Sequence, residues 1–121
     1  MAKYEHLLIF QKSYDLMVRI YQEVHNFPRE YKYGLGEKMK NVCLELLDWI
    51  IIANSETDKK PCLRKVNQQV DRLRIYIRLC RSLNVIGKKK YEVLSKFIDE
   101  IGRIAGGWLK ASQRTGQNFE T

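Results

Sequence analysis

Arginine side chains recur along one predicted helix at the spacing that phosphate recognition needs. Arg74, Arg78 and Arg81 follow one another by four and three residues, so they project from one face of a helix over successive turns. A guanidinium is planar and permanently charged, and it can bind a phosphate through two parallel hydrogen bonds. Arg72 lies to one side of this stripe. The pattern predicts a surface that contacts a polyanion.

A second set of cations occupies one face of the last predicted helix. Lys96, Arg103 and Lys110 recur every seven residues, and Arg114 continues the line. Three lysines at 88–90 cluster at the start of the same helix, where the helix dipole is already positive. Either an anionic partner binds there or the lysines form a solvated first turn.

The net charge of the chain lies in its second half. Residues 1–60 carry nine Lys and Arg against nine Asp and Glu, whereas residues 61–121 carry thirteen against five, and the formal net charge is +8. A one-sided basic surface attracts polyanions and steers their approach. RNA or DNA is therefore the first expected partner. The alternative is that the cations only solubilise a helical face.

Glycines interrupt the last predicted helix at unusual positions. Gly102 and Gly106 are four residues apart and share a face, and Gly107 follows. Each glycine in a helix interior costs about 0.5–1 kcal/mol relative to alanine. We therefore expect close helix packing at this face, with a nucleic-acid backbone as the alternative neighbour.

Few residues in the chain could support catalysis. Arg19 and His25 resemble in spacing the Arg and His pair of HEPN-type helical ribonucleases, in which the histidine would act in acid–base chemistry and the arginine would stabilise a phosphate. His25 is also explained as a cation at a helix C-terminus, and His6 as a surface or interface residue. Glu45 and Asp48 lack a third metal ligand, so we interpret them as a solvated face. Without a phosphate-binding glycine loop, nucleophile elbow or metal cluster in the sequence, we predict a non-enzymatic protein with no cofactor and no metal.

Apolar residues at spacings of three and four predict four amphipathic helices, near residues 3–27, 35–54, 59–83 and 88–112. Pro28 ends the first helix, Gly34 breaks the chain before the second, and Pro61 fits the first turn of the third, where Asp58 can cap free amides. The predicted core stripes are Leu7, Phe10, Tyr14, Met17, Tyr21 and Val24; Leu35, Met39, Val42, Leu46, Trp49 and Ala53; Val66, Val70, Leu73, Ile77 and Cys80; and Tyr91, Leu94, Ile98, Ile101, Ala105 and Trp108.

These helices predict an all-α fold, an antiparallel up-and-down four-helix bundle over residues 1–114 with a flexible tail at 115–121. Helices one and two carry more apolar surface than one seam needs, including Ile9, Leu16 and Ile20 beside the first stripe and the three isoleucines at 50–52. A subunit interface is the expected cover for that surplus.

Length and composition predict a single globular domain. The chain has 121 residues, of which 45% are hydrophobic and 30% charged. No apolar run approaches the roughly 20 residues that span a bilayer, and the N-terminal run Leu7–Phe10 is too short for a secretory signal, so we expect a cytoplasmic protein without membrane contact. Cys43, Cys62 and Cys80 are odd in number and widely spaced, which predicts reduced, mostly buried thiols.

Three segments resemble known four-helix bundles. FPREYKYGLGEKMK, from Phe27 to Lys40, resembles the first interhelical turn of proteins encoded by intervening sequences in large-subunit ribosomal RNA genes. LRIYIRL, from Leu73 to Leu79, and EIGRIAGGWL, from Glu100 to Leu109, resemble the third and fourth helices of accessory variability determinant (Avd) proteins of diversity-generating retroelements, which belong to the same superfamily. The segment Asn41–Glu56 is acidic and apolar without Pro or Gly, which favours the Avd branch.

The Avd resemblance implies a non-enzymatic accessory subunit. Such proteins form a barrel-like homopentamer with a basic surface, bind the retroelement reverse transcriptase and its template RNA, and support mutagenic cDNA synthesis. By position, Arg74, Arg78 and Arg103 match arginines of the family motifs. The alternative is an intervening-sequence type RNA-binding bundle of unknown role. The candidate residues for nucleic-acid or polymerase contact are Arg72, Arg74, Arg78, Arg81, Lys96, Arg103, Lys110 and Arg114.

Overall fold

The structure is a computed structural model that describes the backbone of residues 3–120 and the side chains of residues 4, 5 and 7–113. All the regular secondary structure of that part is helical, with no strand and no helix that is long and apolar enough to cross a membrane. A short 3-10 helix, Lys3–His6, precedes the long helices. These are α1 (Leu8–His25), α2 (Arg29–Tyr31, π-helical over Lys32–Gly36, then Glu37–Ser55), α3 (Lys60–Ser82) and α4 (Lys88–Glu120).

All four predicted helices are present, but three of their ends differ from the prediction. The first does not run unbroken from residue 3, because Leu7 is extended, with φ −72° and ψ 130°. The second begins at Arg29, well before residue 35. The fourth continues to Glu120, beyond residue 112. Whether residues 115–121 form a flexible tail stays a prediction.

Pro28 explains the early start of α2. Its carbonyl accepts the backbone N–H of Tyr31 at 2.9 Å and of Lys32 at 3.0 Å. Proline is favourable beside a helix start, because its fixed φ suits that position and no N–H is lost there. The prediction that Gly34 breaks the chain was therefore wrong, and Gly34 lies within a π-helical turn of α2.

Contacts between helices run in opposite sequence directions, so neighbouring helices are antiparallel. Each helix contacts the next, and α4 closes the bundle against α1. The pairs that set this register are Tyr21 with Lys40 and Val24 with Gly36 between α1 and α2, Met39 with Cys80 and Glu45 with Arg72 between α2 and α3, Arg74 with Asp99 and Val70 with Gly102 between α3 and α4, and Lys12 with Glu100 and Glu23 with Lys90 between α1 and α4.

All four helices contribute to one core. The predicted α3 stripe is buried in full. On α1 the predicted inward stripe was wrong at two positions, because Tyr14 and Tyr21 are 49% and 38% exposed. Val24 of that stripe is buried, and the other buried residues of α1 are Ser13 and the isoleucines and leucine expected beside the stripe, namely Ile9, Leu16 and Ile20. Aliphatic side chains carry no polar atom to hydrate, whereas a tyrosine hydroxyl needs water or a partner, so the bundle buries the aliphatic face.

The turn between α2 and α3 is closed by one lysine. The Lys59 ammonium donates to the carbonyl oxygens of Ala53 at 2.9 Å, Asn54 at 3.1 Å and Glu56 at 2.9 Å, which satisfies orphan acceptors at the end of α2. Asp58 Oδ1 accepts the Lys60 backbone N–H at 3.3 Å, as the sequence suggested for the start of α3.

The three cysteines are buried free thiols, which confirms that expectation. Burial raises the pKa of the Cys43 thiol to about 12 and that of Cys80 to about 11 from an ordinary value of 9.0.

We therefore expect a disulfide reagent to leave both thiols unreacted in the folded protein at pH 8 and to titrate them on unfolding. The free energy of unfolding should fall as pH rises above about 9, because the unfolded chain then loses thiol protons that the folded chain keeps. Rapid labelling of Cys43 in the folded protein would contradict the expected protection of the thiols.

Candidate nucleic-acid interface

The helix α3 directs its arginines to two different neighbours. Arg72 Nη1 donates to Glu45 Oε2 of α2 at 3.0 Å and to Gln69 Oε1 at 2.9 Å. Arg74, two residues later, contacts Asp99 of α4. Leu73 between them is buried, so the two arginines lie on opposite sides of the helix. Arg72 therefore does not share a surface with the stripe that contains Arg74.

Arg74 is held by two carboxylates. Its Nε and Nη2 both lie 3.2 Å from Asp99 Oδ1 across the helix pair, and its Nη1 lies 3.3 Å from Asp71 Oδ1 one turn earlier on α3. The side chain is 45% exposed, so this three-residue group is at the surface. Exposed ion pairs contribute little each, about 0–1 kcal/mol, but here the pair with Asp99 joins α3 to α4.

Arg78 and Arg81 continue the Arg74 stripe with different surroundings. Arg78 is exposed and has no ion-pair partner among the described side chains. Arg81 is half-buried, and its Nη1 donates to Asn84 Oδ1 at 3.3 Å. Asn84 has a φ of 59°, and the Val85 N–H donates to the Cys80 carbonyl at 2.8 Å, so this arginine supports the left-handed turn that ends α3. Arg81 is therefore partly engaged in the fold.

The helix α4 presents its predicted cations to solvent. Lys96, Arg103 and Lys110 are all exposed, and none of them has an ion-pair partner within the described part of the chain. The side chain of Arg114 lies outside the described residues. At the start of the helix Lys90 pairs with Glu23 of α1 at 3.0 Å, while Lys88 and Lys89 are exposed. One lysine of that cluster is thus neutralised by the bundle itself.

Gly102 brings α3 and α4 close together at the centre of this surface. A Cβ atom at residue 102 would lie 3.0 Å from Arg74 Nη2 and 3.4 Å from Val70 Cγ1. Close packing, the expected role, is therefore found at Gly102. It is absent at Gly106 and Gly107, where a Cβ atom would meet nothing within 4 Å.

The sequence of the chain matches a known protein family. A family model described as bAvd-like matches residues 7–112, which cover α1, α2 and α3 in full and α4 as far as residue 112. The chain belongs to the bAvd-like family. The match decides between the two branches that the sequence resembles, in favour of Avd. No curated protein matches the chain in sequence.

In this bAvd-like chain Arg19 and His25, the two residues that resemble a nuclease pair, have different surroundings and do not line one site. The guanidinium carbon of Arg19 lies 5.3 Å from the centre of the Phe97 ring, which engages it in a cation–π contact with α4. His25 is exposed in the last turn of α1. A cavity of about 230 Å³ is lined by Arg19, Glu23, Lys89, Lys90, Val93 and Leu94, and His25 is not part of it.

Carboxylates and thiols of the bAvd-like chain do not form a metal centre within the described residues, where no group of three potential ligands comes together. Glu45, one of the two carboxylates considered from the sequence, is 3.0 Å from Arg72. Its role in the structure is that of an ion-pair partner between α2 and α3.

An exposed apolar stripe on α3 escaped the sequence analysis. Ile75, Leu79 and Leu83 are 64%, 39% and 40% exposed and follow one another by four residues. Their spacing of four residues indicates one face of a helix. They follow Arg72 by three, seven and eleven residues, so the apolar stripe of the bAvd-like chain lies on the Arg72 side of α3 and not on the side of Arg74.

Proposed function

We propose that this protein is a non-enzymatic accessory subunit of a diversity-generating retroelement, which binds the reverse transcriptase and template RNA to support mutagenic cDNA synthesis. The observation that carries the proposal is the row of unpaired, exposed cations on α3 and α4 in a chain of the bAvd-like family. We expect the protein in the cytoplasm, because its proposed RNA partner is found there.

The α3–α4 surface suits a nucleic-acid backbone better than a nucleotide pocket. Arg78, Lys96, Arg103 and Lys110 have no ion-pair partners among the side chains of residues 7–113, so a phosphate can bind them without breaking an existing pair. They lie along two adjacent helices instead of converging on one cavity. Such a surface gives strong, salt-dependent binding with little sequence preference of its own.

The apolar stripe of α3 supports a protein partner next to the basic surface, on the Arg72 side of the helix. Exposed large apolar residues beside cations are typical of protein interfaces, where apolar contact supplies affinity. Ile75 and Leu79 follow Arg72 by three and seven residues and so lie on its side of α3, which means that a polymerase could contact that side while RNA follows the cations of α4.

A second apolar surface supports self-assembly, which we propose to be the barrel-like homopentamer of the Avd resemblance. Tyr14, Val18 and Tyr21 follow by four and three residues on α1 and are 49%, 40% and 38% exposed. Lys40 of α2 lies 5.0 Å from the Tyr21 ring centre, and Leu44, one turn later, is 44% exposed. This surface lies on α1 and α2, away from the basic one. Analytical ultracentrifugation should give a mass about five times that of the chain, and Val18→Asp should reduce it; a monomeric wild-type protein would contradict the proposal.

The decisive test of function is gentle purification of the tagged protein from its own host, with identification of every co-purifying protein and RNA. We expect a reverse transcriptase together with one enriched non-coding RNA. The matched control is a tagged variant with Arg78→Glu and Arg103→Glu, which should retain its fold by circular dichroism and lose both companions.

Two other outcomes would refute the assignment. A diffuse RNA mixture or ribosomal RNA fragments without a polymerase would indicate a general RNA-binding bundle of the intervening-sequence kind. Cleavage of RNA by the purified protein, abolished by His25→Ala, would indicate a helical ribonuclease.

A further inference from the structure

The most basic surface of the protein has two carboxylates near its centre. Asp99 lies three residues after Lys96 and four before Arg103, so these three side chains share one face of α4. Asp71 lies one turn before Arg74 on α3. Left alone, both carboxylates would repel a phosphate backbone that follows the surrounding cations.

Arg74 is the group that neutralises them. All three of its guanidinium nitrogens lie within 3.3 Å of a carboxylate oxygen, two against Asp99 and one against Asp71. A phosphate could reach this guanidinium only by displacing at least one of these contacts. Arg78, Lys96, Arg103 and Lys110 carry no such cost, because none of them is in an ion pair within residues 7–113.

Gly102 is an independent sign that this arrangement is built into the helix pair. A side chain at residue 102 would approach Arg74 Nη2 at 3.0 Å, so the absence of a side chain leaves the space in which the guanidinium reaches Asp99. The glycine thus leaves room for the arginine to span from α3 to α4, between Arg78 on one helix and Arg103 on the other.

We propose that Arg74 is a positioning residue of the RNA-binding surface. It neutralises Asp71 and Asp99 and joins α3 to α4, while Arg78, Lys96, Arg103 and Lys110 contact the phosphates. This inference rests on the proposed binding of RNA, and it departs from the expectation that Arg74 itself contacts the nucleic acid.

The test compares the wild-type protein with three variants. The first is Arg74→Gln, the second combines Arg74→Gln with Asp71→Asn and Asp99→Asn so that all three side chains are neutral, and the third is Arg103→Gln. Binding of a fluorescein-labelled single-stranded RNA is measured by anisotropy over a series of KCl concentrations. Arg74→Gln should weaken binding several-fold, because it uncovers two carboxylates. The triple variant should bind at least as tightly as the wild type, with the same salt dependence. Arg103→Gln should lower the slope of log affinity against log salt by about 0.7, the value for one phosphate contact to a single strand.

The triple variant separates the two roles of Arg74. If Arg74 contacts a phosphate directly, removal of its charge loses that contact whatever happens to the carboxylates. A triple variant that binds more weakly than the wild type, with a slope reduced as in Arg103→Gln, would therefore overturn the proposal. A wild-type protein that does not bind RNA at all would instead refute the proposed function, and this inference with it.

A second measurement on the unmodified protein avoids any effect of substitution on folding. Phenylglyoxal modifies exposed arginines, and mass spectrometry gives the extent at each position. Bound RNA should protect Arg78 and Arg103 and leave the modification of Arg74 unchanged. Equal protection of Arg74 would also overturn the proposal.

Discussion

Charge reversal at Arg78 and Arg103 together should lower the affinity for single-stranded RNA on the order of 100-fold at physiological salt. Both side chains are exposed and have no ion-pair partner among the described residues, so the substitutions remove cations that the fold does not use. Two phosphate contacts are lost, which should lower the slope of log affinity against log salt by about 1.4, and two new negative charges repel the backbone. Fluorescence anisotropy over a KCl series measures both quantities.

The chain offers a matched control for this experiment. Arg29 and Lys38 are exposed cations on α2, and their replacement by glutamate makes the same change in net charge outside the α3–α4 surface. Affinity should then fall by no more than a few-fold, through the general field of the protein. Equal losses in the two double variants would show that net charge alone drives binding and that the α3–α4 surface has no special role.

How much of the candidate site followed from sequence depends on the residue. Helical spacing correctly gave the α4 cations one common face, because Lys96, Arg103 and Lys110 differ by whole heptads. The same reasoning placed Arg72 to one side of the Arg74 stripe but could not assign their partners, since only the packing of α2 against one side of α3 and of α4 against the other gives each arginine a carboxylate. Spacing along one helix carries no information about acids on the neighbouring helix.

The fold shows a similar limit on α1. Its sequence has two apolar stripes with helical spacing, one rich in tyrosine and one aliphatic. Periodicity alone ranks them equally and does not exclude the tyrosine-rich stripe from the core. The structure buries Leu16 and Ile20 completely and leaves Tyr14 half-exposed, since the hydroxyl keeps its water there. The chemistry of the side chains would have been a better guide than their spacing.

The glycine positions show a related limit. Gly34 is predicted to break the chain between helices, yet it is helical and has no atom near its missing Cβ. Gly36, two residues later, is buried against α1, which the sequence pattern does not indicate. A glycine in a sequence suggests a flexible backbone or a helix break, whereas in a helix bundle it can instead lie where two helices approach most closely.

Gly36→Ala is therefore expected to lower the free energy of unfolding by about 1–3 kcal/mol. The new Cβ atom would lie 2.5 Å from Val24 Cγ1, 3.4 Å from the Tyr31 carbonyl oxygen and 3.5 Å from Phe27 Cδ2. Val24 is fully buried and its branched side chain has little rotamer freedom, so the overlap cannot be relieved without moving α1. Denaturant titration followed by circular dichroism measures the loss. Gly34→Ala is the control, and it should stabilise by about 0.5–1 kcal/mol because its Cβ atom meets nothing.

The clash itself can be isolated with a double-mutant cycle. Val24→Ala removes the atom that the new Cβ meets, at the expense of a cavity in the core. In that background Gly36→Ala should cost much less than in the wild type, because the methyl group now enters the space that Val24 vacates. The two substitutions should therefore show a favourable coupling on the order of 1 kcal/mol. Additive effects would mean that Gly36 is needed for the backbone of the π-helical turn and not for the approach of α1 to α2.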